Sequence, residues 1–268
     1  MFEPLDSNAI RLNLSSIGEP DCPGIHVHPS IDSTNNWFIN ELRAGRIESK
    51  HVCLAEEQRA GRGRRGRTWI SPPVGNLYMS VGWAARNMKH SPEAITLAVG
   101  VAVCEVLEVL SGRPIDIKWP NDFYHDNRKL GGILIDGLSR NDKPFWVIGV
   151  GVNLRPVEHK TIDTVASAGL DEVWPDAHNH RNYLAARIIK AIFNACLSYE
   201  DNGFSVFRDR WASHDITIGR KLTVHQATGT LMQATGCGID QSGKLRVICA
   251  TSGDEYVLDA ADVTLRVD

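Results

Sequence analysis

Apolar positions along the chain follow two periods, and the dominant one changes near residue 215. Residues 35–42 interleave the polar Asn35, Asn36, Asn40 and Glu41 with the apolar Trp37, Phe38, Ile39 and Leu42. Asp32-Ser33-Thr34 offers cap hydroxyls ahead of them and Gly45 lies beyond, so the pattern predicts a short amphipathic helix. Ser91-Pro92-Glu93 reads as a second helix start, with a proline at the first position and an acid in the first turn. This helix runs to about Ser111, where Gly112 can supply a left-handed cap. A third helix is read over 182–199, ending before Gly203, on the apolar positions Leu184, Ile188, Ile189, Ile192 and Cys196. Between them, residues 52–55, 76–81, 115–119, 130–135 and 145–154 read as strands. The last two are joined through Ser139-Arg140-Asn141-Asp142-Lys143, a hairpin-like turn. In 115–119, Ile115, Ile117 and Trp119 fall on one face and Lys118 on the other. Beyond about Asp215 only short β-rich runs remain (221–225, 230–237, 245–249, 256–258 and 263–267), separated by turn signals such as Gln241-Ser242-Gly243. The pattern predicts an α+β domain over 1–214 and a small β-barrel over 215–268.

Composition narrows the class. The chain has 268 residues, 43% of them hydrophobic, enough for a sizeable core, and a formal net charge of −3. That balance gives no general field for nucleic acid or an anionic membrane. The six cysteines (Cys22, Cys53, Cys104, Cys196, Cys237 and Cys249) contain no C-x-x-C pair and read as reduced fillers of a cytoplasmic protein. The N-terminus lacks a basic and apolar leader pattern. The most apolar stretch, 94–110, is interrupted by Glu105 and Glu108. Charge is nevertheless uneven. No acid falls between Glu57 and Glu93, yet Arg59, Arg62, Arg64, Arg65 and Arg67 lie together inside that interval.

Four stretches can carry chemistry. In residues 58–69, Gly61, Gly63 and Gly66 let backbone N–H groups approach an anion, and the arginines supply bidentate donors for carboxylate or phosphate. The glycine spacing matches G-x-G-x-x-G, but Pro72-Pro73 prevents the helix that a dinucleotide fingerprint needs, and no D-F-G accompanies it as in a kinase. A solvated basic loop is the plain alternative. In Lys118-Trp119-Pro120-Asn121-Asp122, proline turns Asn121 and Asp122 outward at a strand mouth, unless this is an ordinary terminating turn. In Arg128-Lys129-Leu130-Gly131-Gly132, a lysine enters a strand before two glycines. That suits a flat ligand, or else a β-bulge with a surface lysine. In Gly149-Val150-Gly151-Val152-Asn153, alternating glycines bare one face for a ligand, or for close packing of another element. His26 and His28 lie two apart with no third ligand in view, a weak metal pattern.

These four stretches, in this order and preceded by Ser33-Thr34-Asn35, resemble the biotin protein ligase family (biotin–[acetyl-CoA-carboxylase] ligase). The resemblance is dense over 31–153. It implies a mixed sheet with helices on one side followed by an SH3-like barrel, and two half-reactions. Biotin and MgATP give biotinyl-5′-AMP and pyrophosphate; the ε-amine of a lysine on a biotin carboxyl carrier protein then takes the biotinyl group. It further implies that Ser33, Thr34, Asn35, Gln58, Gly61, Arg62, Gly63, Arg64, Gly132 and Gly151 line the biotin site. Lys129 would polarise the acyl carbonyl. Trp69 would pack on adenine, and Lys118, Asn121, Asn153, Arg64, Arg65, Arg67 and Arg266 would serve the nucleotide. Asp122 would hold Mg²⁺ or meet the incoming amine. Only 31 residues precede Asp32, so a monofunctional ligase without operator binding is expected, a homodimer being compatible with the family. Five like charges predict an arginine loop that needs an anion to pack around. The rivals are a lipoate or octanoate transferase of the same superfamily and a non-catalytic nucleotide- or RNA-binding module.

Overall fold

The computed structural model describes residues 2–19, 21, 24–73, 75–86, 94–140, 143–157, 166–226, 231–260 and 263–267. Its main feature is a seven-stranded sheet of β1 (Gly24–His28), β2 (His51–Ala55), β3 (Leu77–Ala84), β4 (Asp116–Lys118), β5 (Asp122–His125), β6 (Arg128–Arg140) and β7 (Lys143–Val152), in the order β1-β2-β3-β7-β6-β5-β4. β1 and β2 are parallel and every other pair is antiparallel, so the sheet is mixed.

Alternation along β7 shows how the sheet divides its faces. Trp146, Ile148, Val150 and Val152 enter the main core together with α3 (Ile95–Ser111) and α4 (Arg181–Asn202). Phe145 and Val147 point the other way and join Phe38 and Leu42 of α2 (Thr34–Arg43) in a second cluster. The two long helices therefore cover one face, and α2 covers part of the other. Gly112 caps α3 in the left-handed region, φ 64°. Ile115, Ile117 and Trp119 are buried as their spacing predicts, but Lys118, on the opposite face, is buried too.

Two helices escaped the sequence reading: α1 (Ser7–Ser16), capped by the Asp6 side chain, and α5 (Arg208–His214). Both are short, and α1 buries only Ile10 and Leu14. The Ser91-Pro92-Glu93 helix start and the Asn141-Asp142 turn lie outside the described residues.

A second, antiparallel sheet follows: β8 (Lys221–Gln226), β9 (Leu231–Ile239), β10 (Leu245–Cys249), β11 (Glu255–Leu258) and β12 (Val263–Val267), in the order β11-β10-β9-β8-β12. Trp119 Nε1 donates to Gly243 O (2.9 Å) and Arg220 to Asn127 (2.9 Å), fastening this sheet to the first. Among the described residues, no helix is long and apolar enough to cross a membrane.

Candidate functional site

A cleft of about 650 Å³ opens on the α2 face of the seven-stranded sheet, between the arginine loop and the second sheet. Its floor follows from the register. Asp122, Gly132, Gly151 and Tyr78 lie in one row across β5, β6, β7 and β3, and Leu134, Gly149 and Ser80 form the next row on the same face.

The glycines are needed there, but protein approaches them. A Cβ on Gly151 would stand 2.8 Å from the indole of Trp69, and one on Gly149 would stand 2.4 Å from Asn35 Oδ1. The bare face read from residues 149–153 is thus a seat for Trp69 and Asn35, the close-packing alternative. A Cβ on Gly132 would meet Asp122 Oδ1 at 2.9 Å.

Lys129 reaches the cleft through an irregularity. Phe123 pairs with Gly131 but Tyr124 pairs with Lys129, so β6 carries an extra residue, Leu130, at this point. Lys129 lies an odd three positions before Gly132 and would otherwise face away. The bulge turns it onto the cleft face, where Nζ meets Asp122 Oδ1 (2.8 Å) and sits 5.2 Å from the Trp69 ring centroid. The bulge alternative of that stretch is present, and it turns the lysine into the cleft instead of leaving it on the surface.

The start of α2 forms one end of the cleft. Ser33 occupies the N-cap position, but its hydroxyl makes no cap bond. The orphan N–H of Thr34 donates to Gln58 Oε1 instead (2.8 Å), and Gln58 Nε2 donates to Ser71 (2.9 Å). Asn35 donates Nδ2 to Leu134 O (3.2 Å) and to Asp136 (2.8 Å), while Ser80 Oγ lies 2.5 Å from its Oδ1. Both amide protons of Asn35 are therefore spent on protein.

Over this floor, residues 61–69 fold back on themselves. Gly63 N–H donates to Arg67 O (2.7 Å) and Trp69 N–H to Gly61 O (2.9 Å), with Arg65 (φ 58°) and Gly66 (φ 71°) both left-handed at the tip. The arginines find protein acceptors without an added anion. Arg62 binds Asn36 (2.6 Å) and Asp136 (2.9 Å), Arg64 binds Asn121 (3.2 Å) and Ala260 O (2.7 Å), and Arg59 binds Asp32 (2.7 Å).

Most of the expected site residues meet here. Ser33, Thr34, Asn35, Gln58, Arg62, Gly63, Arg64, Arg67, Trp69, Lys118, Asn121, Asp122, Lys129, Gly132, Gly151, Asn153 and Arg266 all line the cleft. Gly61 and Arg65 do not. A Cβ on Gly61 would stand 2.4 Å from Trp69 O, so this glycine closes the loop rather than touching the cavity. Arg65 is exposed and turns to Ala260 O (3.2 Å). Sequence reasoning missed Tyr124, two positions along β5 from Asp122, whose Oη lies 3.5 Å from Lys118 Nζ. It also missed Ser80 and Asp136, which sit behind the lining. A polar residue inside an apolar strand was the signal available for both. His26 and His28 are spent on packing: both flank Trp37, and His26 Nε2 meets His51 Nδ1 at 3.0 Å.

Electrostatically the cleft has a polar neutral end and a cationic end. Burial lowers the Lys118 ammonium pKa below the usual lysine range; Asp122 opposes the shift, and the neighbouring cations Lys129, Arg67 and Arg266 reinforce it. Burial and the adjacent Arg65 likewise disfavour the charged form of Arg64. In both cases burial and neighbouring cations disfavour the charge. The indole Nε1 of Trp69 is buried with no acceptor among the described residues, a donor left open beside that end.

Residues 27–153 match the model of the biotin/lipoate A/B protein ligase family. The chain is 34% identical over 236 residues to the bifunctional ligase/repressor BirA of Escherichia coli, covering 85% of this chain and 70% of that one. It is 30% identical over 243 residues to the biotin–[acetyl-CoA-carboxylase] ligase of Paracoccus denitrificans, covering 87% and 96%. In structure it resembles a biotin protein ligase from Aquifex aeolicus in complex with biotin and ATP, with TM-score 0.76, 22% identity and coverage of 91% and 99%. With the motifs, the mixed sheet and the second antiparallel sheet in agreement, the chain belongs to the biotin/lipoate A/B protein ligase family, as a biotin protein ligase.

Proposed function

We infer that this protein activates biotin with MgATP and transfers it to a lysine of a biotin carboxyl carrier protein. The observation that carries this reading is the polarity of one cleft, a hydrogen-bonded neutral end at Thr34 and Gln58 and a cationic end at Lys118, Lys129, Arg64, Arg67 and Arg266. Biotin has the same polarity, a neutral bicyclic ring and a terminal carboxylate.

In the first half-reaction the biotin carboxylate oxygen attacks the α-phosphorus of ATP. A P–O bond forms, the bond to the β-phosphate breaks, and pyrophosphate leaves. The two reactants repel each other, so the site must neutralise both before they meet. Lys129 and Arg64 supply that charge from the floor and from the loop. Gly63 and Trp69, held by the backbone bonds across residues 61–69, cover the reacting atoms and exclude water. Trp69 packs on the adenine, and Asn121, Asn153 and Arg266 serve the rest of the nucleotide. In the second half-reaction the carrier lysine amine attacks the acyl carbon, the amide C–N bond forms, and AMP leaves with the C–O bond electrons. Asp122 lies beside Lys129 and is placed to accept the amine proton.

A magnesium ion fits the residues present in a limited way. Asp122 is the one carboxylate among the described lining residues, and Mg²⁺ commonly takes one or two carboxylates together with substrate phosphates. Asp122 would hold it, and its chemistry would be neutralisation of phosphate charge. We assign residues 1–214 to the biotin/ATP-binding domain and 215–268 to the SH3-like domain, which contributes Arg266 to the cleft.

The test is to incubate the protein with MgATP and biotin, lipoate or octanoate, and to measure pyrophosphate and the acyl-adenylate by mass. Biotinyl-adenylate alone is expected. A lipoyl- or octanoyl-adenylate in its place transfers the protein to the other branch, and no pyrophosphate with any acid leaves a binding module.

A further inference from the structure

We propose that Asp136, which does not line the cleft, is a positioning residue that sets the biotin-ring end of the site through Arg62 and Asn35; this rests on the biotin reading above. Asp136 lies on β6, on the α2 face, opposite Val147 of β7. Its two oxygens are divided. Oδ1 accepts from Arg62 Nη2 (2.9 Å) and Oδ2 from Asn35 Nδ2 (2.8 Å). The other guanidinium arm of Arg62 donates to Asn36 Oδ1 (2.6 Å). One carboxylate thus ties the arginine loop, the sheet and the first turn of α2 at a single point.

Two consequences follow from the chemistry. The first concerns charge. Among the described lining residues Arg62, Arg64, Arg67, Lys118, Lys129 and Arg266 are cationic and only Asp122 is acidic. Asp136 neutralises Arg62, whose other arm binds Asn36 in the first turn of α2, and leaves the others for the carboxylate and phosphates. The ring end then suits an uncharged polar group, and a second anion finds no excess charge there. The second consequence concerns orientation. Asn35 can face either way as an amide, and Asp136, acceptor-only when ionised, fixes Nδ2 toward itself and Oδ1 toward Ser80. Ser80 Oγ also lies 2.7 Å from Thr34 Oγ1, which lies 3.2 Å from Gln58 Oε1. Ser80 spends its one proton on Asn35 Oδ1 and so accepts from the Thr34 hydroxyl, which sets the polarity from Asp136 through Asn35 and Ser80 as far as Thr34.

Asp136→Asn keeps the shape but converts one acceptor into a donor, so either Arg62 or Asn35 loses its partner. Biotin-dependent pyrophosphate release at saturating MgATP is measured for the wild type, Asp136→Asn, Arg62→Ala, the double variant and Asn36→Ala, with each melt recorded. In Asp136→Asn the KM for biotin should rise about 10- to 100-fold, the loss expected of a charge-assisted hydrogen bond, with kcat within about threefold. The double variant should be no worse than Arg62→Ala, because the two residues act as one unit. Asn36→Ala removes only the second arm of Arg62, on the surface of a helix that alanine favours. It should raise the KM by a smaller factor in the same direction, and it keeps the test alive if Asp136→Asn does not fold. An unchanged KM in Asp136→Asn or Asn36→Ala, additive losses in the double variant, or a fall in kcat at constant KM overturns the assignment. A wild type that makes no biotinyl-adenylate sinks the functional reading instead.

Discussion

Arginine serves two opposite purposes in this molecule, at Arg181 and in the loop of residues 59–67. Arg181, in the first turn of α4, is wholly buried. It donates to Glu56 Oε2 (2.7 Å), Asn76 O (2.8 Å) and Glu3 O (2.8 Å). Around it, Leu5 N–H donates to Glu56 and Asp6 N–H to Asn182, so one guanidinium knots the N-terminal segment, β2, β3 and α4. Nearly all of its charge is answered by protein; only Nε lacks an acceptor among the described residues. The loop arginines are partly exposed, and several of their acceptors are surface groups or lone carbonyls such as Ala260 O, which a phosphate or carboxylate can outcompete. A guanidinium that is buried and internally matched builds the fold, and one matched only by surface groups or single carbonyls keeps charge that an anion can compete for. The difference lies in burial and partners, since the side chain is the same.

That contrast predicts which variants unfold the protein and which only silence it. The largest effect is expected from Arg181→Met. It takes the guanidinium away from the half-buried Glu56 carboxylate, which keeps only Leu5 N–H, and from two carbonyls, and should cost about 3 kcal/mol in urea unfolding. Adenylation per folded molecule should change little. A loss below about 1 kcal/mol would erase the distinction between Arg181 and the loop arginines. Next is Lys129→Ala, on the functional side of the comparison. Removing a preorganised charge at the reacting carboxylate should lower adenylate formation at least about 100-fold, at a melting temperature close to the wild type. Near-normal adenylation would take Lys129 out of its assigned role.

The sequence showed one side of this contrast and hid the other. Five arginines in an acid-free interval stand out in any charge count, and the glycines around them mark a loop. Arg181 is a single arginine at the start of an ordinary amphipathic helix, and its partners Glu3, Glu56 and Asn76 are scattered through more than a hundred preceding residues. The same limit hid Asp136, whose contact with Asn35 spans 101 residues. Strand and helix signals were legible because they are local: β10 and β12 fall on the β-rich runs read at 245–249 and 263–267, and α4 ends before Gly203 as read. The helix α1 was not, because its two buried residues give too little period. The glycine pairs were legible as sites of close approach. What approaches, Trp69 and Asn35, depends on tertiary structure.

A third prediction tests that last point. Gly151→Ala places a methyl 2.8 Å from the indole, so Trp69 must shift from its seat. If Trp69 holds the adenine, the KM for ATP should rise about 10-fold while the KM for biotin moves less, a difference of roughly 1.4 kcal/mol at the nucleotide. Equal changes in both would mean that the glycine serves the whole floor and not Trp69.

The smallest effect concerns Lys118, the most buried cation of the cleft. Its ammonium pKa lies below the ordinary lysine value because burial disfavours the charge and nearby cations add to this. The sign follows. As pH rises, Lys118 loses its proton earlier than a free lysine would, and the cationic end loses one charge while the arginines keep theirs. ATP binds the protonated form better, so the KM for ATP should climb on the alkaline side, by a few-fold for one charge among several. Lys118→Arg keeps the charge at every accessible pH and should flatten that climb, even if its bulk raises the KM throughout. The readout is the slope of log KM against pH, which a general packing defect would not alter. An identical slope in both proteins would assign the alkaline effect to another group and place Lys118 with Arg181, among the charges that the fold uses for itself.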